Sequence, residues 1–78
     1  MTWNYRVIRT VYDIEGEELV DFSIHEVYYD TEGKAVMMTE DAVAPAGDTM
    51  EEFKDDLIHY MAALTKPVME AAEIGSTA

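Results

Sequence analysis

Cysteine is absent from the 78 residues, which excludes disulfide staples and thiolate zinc sites and leaves stability to the core alone. Basic residues are scarce: 5 Lys and Arg stand against 17 Asp and Glu, a formal net charge of −12. Such a surface repels phosphate backbones and anionic headgroups, so direct binding of nucleic acid or a membrane is not expected. Long apolar runs are missing as well, and nothing approaches the roughly 20 residues that span a bilayer. The opening Met-Thr-Trp-Asn-Tyr-Arg lacks the basic and apolar segments of a secretory signal. These absences predict a soluble, cytoplasmic protein.

Catalytic and cofactor signatures are also lacking. There is no HExxH, no thiol nucleophile and no phosphate-cradling loop, since Gly16 and Gly33 stand alone. Asp30-Thr31-Glu32-Gly33 has a calcium-loop flavour, but the glycine falls two positions early and no closing glutamate follows, so a hairpin turn is the better reading. Ser23 and Ser76 fall in a strand and a tail, away from any nucleophile elbow. No enzyme, metal or cofactor is expected.

What is present is one small domain. A chain of this length hides only about 60% of its unfolded surface, so the core is thin and self-association is a natural way to bury more. The organising stretch is Ser23 to Thr39, which reads as two strands joined at Asp30-Thr31-Glu32-Gly33. Before it, Trp3 to Tyr12 alternates as a half-buried strand, with Trp3, Tyr5, Val7 and Val11 on one face and Asn4, Arg6, Ile8, Thr10 and Tyr12 on the other. Arg6 and Arg9 therefore face opposite ways. Asp13-Ile14-Glu15-Gly16 supplies the first turn, with Gly16 free to take a positive φ.

Glu18 to Tyr29 forms the second strand, with Val20, Phe22, Ile24 and Tyr28 opposed to Asp21, Ser23, His25, Val27 and Tyr29. Lys34 to Glu40 forms the third. Its pairs Val36 with Met38 and Ala35 with Met37 read as core filler, or as contact area on an open face. Asp41 to Gly47 is a connector that admits a short edge strand at Ala42 to Ala44. Asp48 or Thr49 caps a helix, with Glu51 or Glu52 at capping-box spacing. Met50, Phe53, Leu57, Tyr60 or Met61, and Leu64 then draw an apolar stripe down about four turns. Lys66-Pro67 ends the helix, and Pro67, Val68 and Met69 are placed to pack back against the sheet edge.

The expected fold is α+β: a three-stranded antiparallel meander, four-stranded if Ala42–Ala44 pairs, covered on one face by a single C-terminal helix. Residues 1–69 form the domain and 70–78 a flexible tail.

Two histidines invite a chemical reading and do not sustain it. His25 and Glu26 are neighbours in a strand and point apart, while His59 sits four residues after Asp55, where a helical ion pair explains it. Trp3, Tyr5, Tyr12, Tyr28 and Tyr29 lack the interleaved cations of a base-stacking platform.

Carboxylates carry the remaining signal. Glu51 with Asp55 and Glu52 with Asp56 are like charges at i, i+4, which weakens a helix by a few tenths of a kcal/mol per pair. The helix dipole offsets this only in the first turn. Acids two apart on a strand face lie about 6.7 Å from each other, near the spacing of phosphates along one nucleic-acid strand. Glu26, Asp30, Glu32, Glu51, Glu52, Asp55 and Asp56 are therefore the candidate partner-binding residues, directed at a basic protein surface. The plain alternative is that these charges only confer solubility.

The chain also resembles a family of short, largely uncharacterised bacterial and phage proteins. The resemblance rests on Trp3-Asn4-Tyr5-Arg6-Val7-Ile8-Arg9, on Ile24-His25-Glu26-Val27-Tyr28-Tyr29-Asp30 with Gly33-Lys34, on Thr39-Glu40-Asp41-Ala42-Val43, on Gly47-Asp48-Thr49 and on Ala63-Leu64-Thr65-Lys66-Pro67-Val68. It spans roughly residues 3 to 69. Ala42 stands where proline is common in the family. The resemblance implies no established reaction; through relatives that act as anti-CRISPR proteins against type I complexes, it suggests an inhibitor of a CRISPR effector complex. Together these readings predict a non-enzymatic acidic inhibitor that mimics DNA or blocks a basic groove. The alternative is a structural or adaptor module, a homodimer through the open sheet face.

Overall fold

The computed structural model describes residues 2–75. β1 (Thr2–Ile14) and β2 (Glu17–Tyr29) pair antiparallel along their whole length, from Thr2 opposite Tyr29 to Ile14 opposite Glu17. Their turn needs two consecutive residues at positive φ, and Glu15 at 53° and Gly16 at 82° supply them in a type I′ geometry. The Asp13 carboxylate accepts from the Gly16 N–H at 3.1 Å and fixes the bend.

β3 (Ala35–Met38) pairs antiparallel with the end of β2, Val27 opposite Met38 and Tyr28 opposite Met37. The turn between them is built on Asp30, whose Oδ1 accepts from the N–H groups of Glu32 and Lys34, both at 2.9 Å. α1 (Met50–Met61) continues into a 3₁₀ turn at Ala62–Thr65. β4 (Met69–Glu70) then returns to β1, and a second 3₁₀ turn spans Ala71–Glu73. The sheet order is β3-β2-β1-β4.

The α+β class and the antiparallel β1-β2-β3 meander with one helix on a face are as expected, and three details differ. First, the fourth strand is β4, parallel to β1 on the opposite edge. Ala42–Ala44 forms no ladder: Val43 N–H reaches Ile24 O at 2.9 Å, but Pro45 has no donor to continue.

Second, residues 70 to 75 are not a loose tail. Ile74 is buried against Ile8, Val27 and Met38, with Tyr29, Ala35, Met69 and Ala71 around them. This closes the sheet face that was expected to stay open, so Met38 is core and unavailable for contact. The remainder of that expectation, residues 76–78, lies outside the described residues.

Third, only part of the expected helix stripe meets the sheet: Tyr60 is buried and Phe53 half-buried, as expected, while the rest is exposed. Tyr60 and Ala63 are the buried positions, and α1 meets β1 on the face carrying Tyr5. Leu57, Met61 and Leu64 lie to one side, and Leu64 is 70% exposed.

The two long strands outrun the rest of the chain. Every residue from Val11 to Phe22 is exposed, so the distal hairpin is a bare two-stranded arm. It accounts for the 45 Å long axis and for a radius of gyration of 13.8 Å, against about 11.5 Å for a compact chain of this length.

Candidate acidic interface

The loop before α1 and the first turns of the helix make the most charged hollow of the described residues. Thr49 is the N-cap, and its Oγ1 accepts from the Glu52 N–H at 3.1 Å. Glu52 reaches back past the cap to accept from the Asp48 N–H at 2.9 Å. One turn on, Asp56 accepts from the Ala46 N–H at 2.9 Å. The last two bonds each pair a carboxylate with a connector amide, the stronger class of hydrogen bond, and both fasten the connector to the helix.

Gly47 makes that approach sterically feasible, because a Cβ there would stand 2.5 Å from the Phe53 nitrogen. The result is a shallow cavity of about 590 Å³ floored by Ala46 and Gly47 and walled by Asp48, Glu52, Asp55, Asp56 and His59. No Lys or Arg lines it. Glu51 and Asp55 are exposed, and neither carboxylate makes a hydrogen bond or ion pair with the other described residues.

Asp56 and His59 also border a second hollow of about 460 Å³, whose other wall is Trp3, Asn4, Tyr5, Ala62 and Lys66. There the Trp3 ring meets Tyr5 edge-on at 5.2 Å, and Tyr5 lies over Tyr60 at 4.2 Å. Tyr60 donates to Ala44 O at 2.9 Å, and burial, with Tyr5 beside it, pushes its hydroxyl pKa up to about 12. An aromatic row beside the fixed Asp56 carboxylate suits a cationic side chain, which is drawn to both ring faces and negative charge, and Lys66 of this chain borders the same hollow.

Of the seven carboxylates picked from the sequence, the structure brings Glu52, Asp55 and Asp56 together and adds Asp48. Glu51 is on the same helix but outside the cavity lining. Asp30 and Glu32 sit at the β2–β3 turn, where Asp30 is occupied in forming the bend. Glu26 lies on the helix-covered sheet face, accepts from the Tyr28 hydroxyl at 2.9 Å and thereby raises the Tyr28 pKa. The spacing of Asp48 and Glu52, four residues apart, was the signal for the missing member; reading Asp48 only as a cap concealed it.

The histidines also differ from expectation. His59 makes no ion pair with Asp55; Arg9 with Glu70, at 3.1 Å, is the one ion pair among the described residues. His25 is buried with both ring nitrogens engaged. Thr39 O, 2.9 Å from Nδ1, can only accept, so Nδ1–H donates to it, and Nε2 lies 2.9 Å from the Ser23 hydroxyl. That is a structural clasp between β2 and the end of β3. No group of three or more metal-ligating side chains occurs among the described residues, and no described helix is long and apolar enough to cross a membrane. No family model matches the chain, nor does any curated protein or solved structure.

Proposed function

We propose that this chain is a non-catalytic binding protein that offers fixed carboxylates to a basic groove on a partner and excludes nucleic acid from it. The observation that carries this reading is the cavity walled by Asp48, Glu52, Asp55 and Asp56, in which two carboxylates are held by backbone amides and no cation intervenes. Preorganisation matters because a surface whose charges are already positioned loses less entropy on binding. With a net charge of −12, encounter with a cationic groove is steered over roughly a Debye length, about 8 Å at physiological salt. Trp3 and Tyr5 beside Asp56 add a place for an arginine or lysine of the partner.

The resemblance to bacterial and phage proteins directs the search to host defence complexes that hold DNA, a CRISPR effector complex first. In gel-shift competition, excess protein lifts such a complex off DNA at low salt, with an effect that fades as salt rises. Retention of all DNA at low salt rejects the proposal.

A further inference from the structure

Both faces of the distal hairpin carry exposed apolar side chains. Val11, Val20 and Phe22 share one face and Tyr12, Ile14 and Leu19 the other, and all six are exposed, Phe22 by 60%. A lone two-stranded ribbon is marginal without a cover, and contiguous exposed apolar patches mark interaction sites.

The cover is present on the same molecule, out of its own arm's reach. At the base of the arm, on the face of Phe22, an apolar groove of about 460 Å³ runs between β2, the connector and the helix. Ile24, Val43, Leu57, Met61 and Leu64 form its sides, and no charged residue lines it. We infer that two copies of this chain pair about a two-fold axis near Phe22 and Ile24, each laying the Val11, Val20 and Phe22 face of its arm into the other's groove.

Two observations favour a second copy. Arm face and groove are continuous through Phe22, Ser23 and Ile24, so one rotation superposes each on the other and buries both, as an isologous contact requires. The lengths agree: from Thr10 to Ile14 an extended strand covers about 13 Å, and from Leu64 back to Leu57 a helix covers about 10 Å.

The charges do not oppose it: no charged residue lines the groove, and the acids of the inserted face, Asp13 and Glu18, lie beyond Val11 and Val20 toward the tip. The two arm faces and grooves together remove roughly 1,200 Å² from water, at the lower edge of specific interfaces. This contact uses none of the carboxylates of the acidic cavity, so it is independent of the proposed function.

Sedimentation equilibrium of the full chain tests it, with circular dichroism confirming the fold of each variant. The expected result is a dimer at micromolar concentration for the natural chain and a monomer for Phe22→Ser and for Leu64→Ser, both at exposed positions. Val20→Ser, on the same arm face, is expected to raise the dimer dissociation constant about tenfold. A natural chain that stays monomeric at 100 μM overturns the inference. So does a dimer that ignores all of these variants, or a ladder of larger species in place of a closed pair.

Discussion

The Arg6 guanidinium donates to Pro67 O at 2.6 Å, joining β1 to the segment that follows the helix, 61 residues later. Its other terminal nitrogen donates to the Tyr29 hydroxyl at 3.1 Å, and that hydroxyl donates to Asn4 Oδ1 at 2.8 Å. Arg6 thus fixes the direction in which the chain leaves Pro67 to form β4. Arg6→Met should cost about 2 kcal/mol, the range for charged hydrogen bonds, and Arg6→Lys nearly as much, since an ammonium cannot fork to both acceptors. Amide exchange at Met69 and Glu70 should accelerate before that of the β1–β2 ladder.

Tyr60 offers a test of how the helix seats on the sheet. Tyr60→Phe should lose about 1 kcal/mol by leaving Ala44 O without its donor. Because the folded hydroxyl titrates near 12 rather than at its ordinary value of 10.0, the unfolded chain sheds this proton first as pH rises. The stabilisation is complete below pH 10 and is lost as pH climbs toward 12. Urea midpoints of the natural chain should fall across that window, and Tyr60→Phe should flatten the fall.

The acidic cavity separates structural from exposed carboxylates. Glu52→Ala and Asp56→Ala should each destabilise by about 1 to 2 kcal/mol, because an amide of the connector loses its acceptor. Glu51→Lys and Asp55→Lys should leave stability within about 0.5 kcal/mol. If the proposed function holds, these two reversals weaken DNA displacement several-fold at low salt and flatten its salt dependence. Thermal melts alongside the competition assay read both quantities.

The first hairpin turn holds a non-glycine residue at positive φ, where Asn is favoured. Glu15→Asn should raise stability by about 0.5 kcal/mol and Gly16→Ala lower it by about 1 kcal/mol. A shift of the urea midpoint with an unchanged slope would show that only the turn is affected.

Much of this architecture could be read from residue order. Alternation in β1 and β2 placed Tyr5 opposite to Ile8, and capping chemistry placed the helix start at Thr49. The helix stripe misled because Leu57, Met61 and Leu64 have the spacing of a core face, yet they border a groove. Of the alternatives Tyr60 and Met61, Tyr60, with a hydroxyl to satisfy, took the sheet contact, joined by Ala63, small enough for close approach. Contact of Pro67 to Met69 with the sheet edge was legible, but its parallel pairing was not, because two residues leave no periodicity, and one isoleucine among small polar residues resembles a tail. Within the site, Glu52 and Asp56 were visible as charge, but their bonds to connector amides depend on a loop path that no local pattern specifies.

Arg9 and Glu70 are joined across a long stretch of chain, whereas the β1–β2 ladder grows outward from its own turn. Closing a large loop carries an entropic penalty that a neighbouring pair does not meet, so β4 and Ile74 form the part of the molecule cheapest to detach. Their release uncovers Ile8 and Val27 and bares one edge of β1 while the hairpin persists. A partly opened species of that kind, rather than the fully unfolded chain, is where strand exchange and aggregation of this protein would begin.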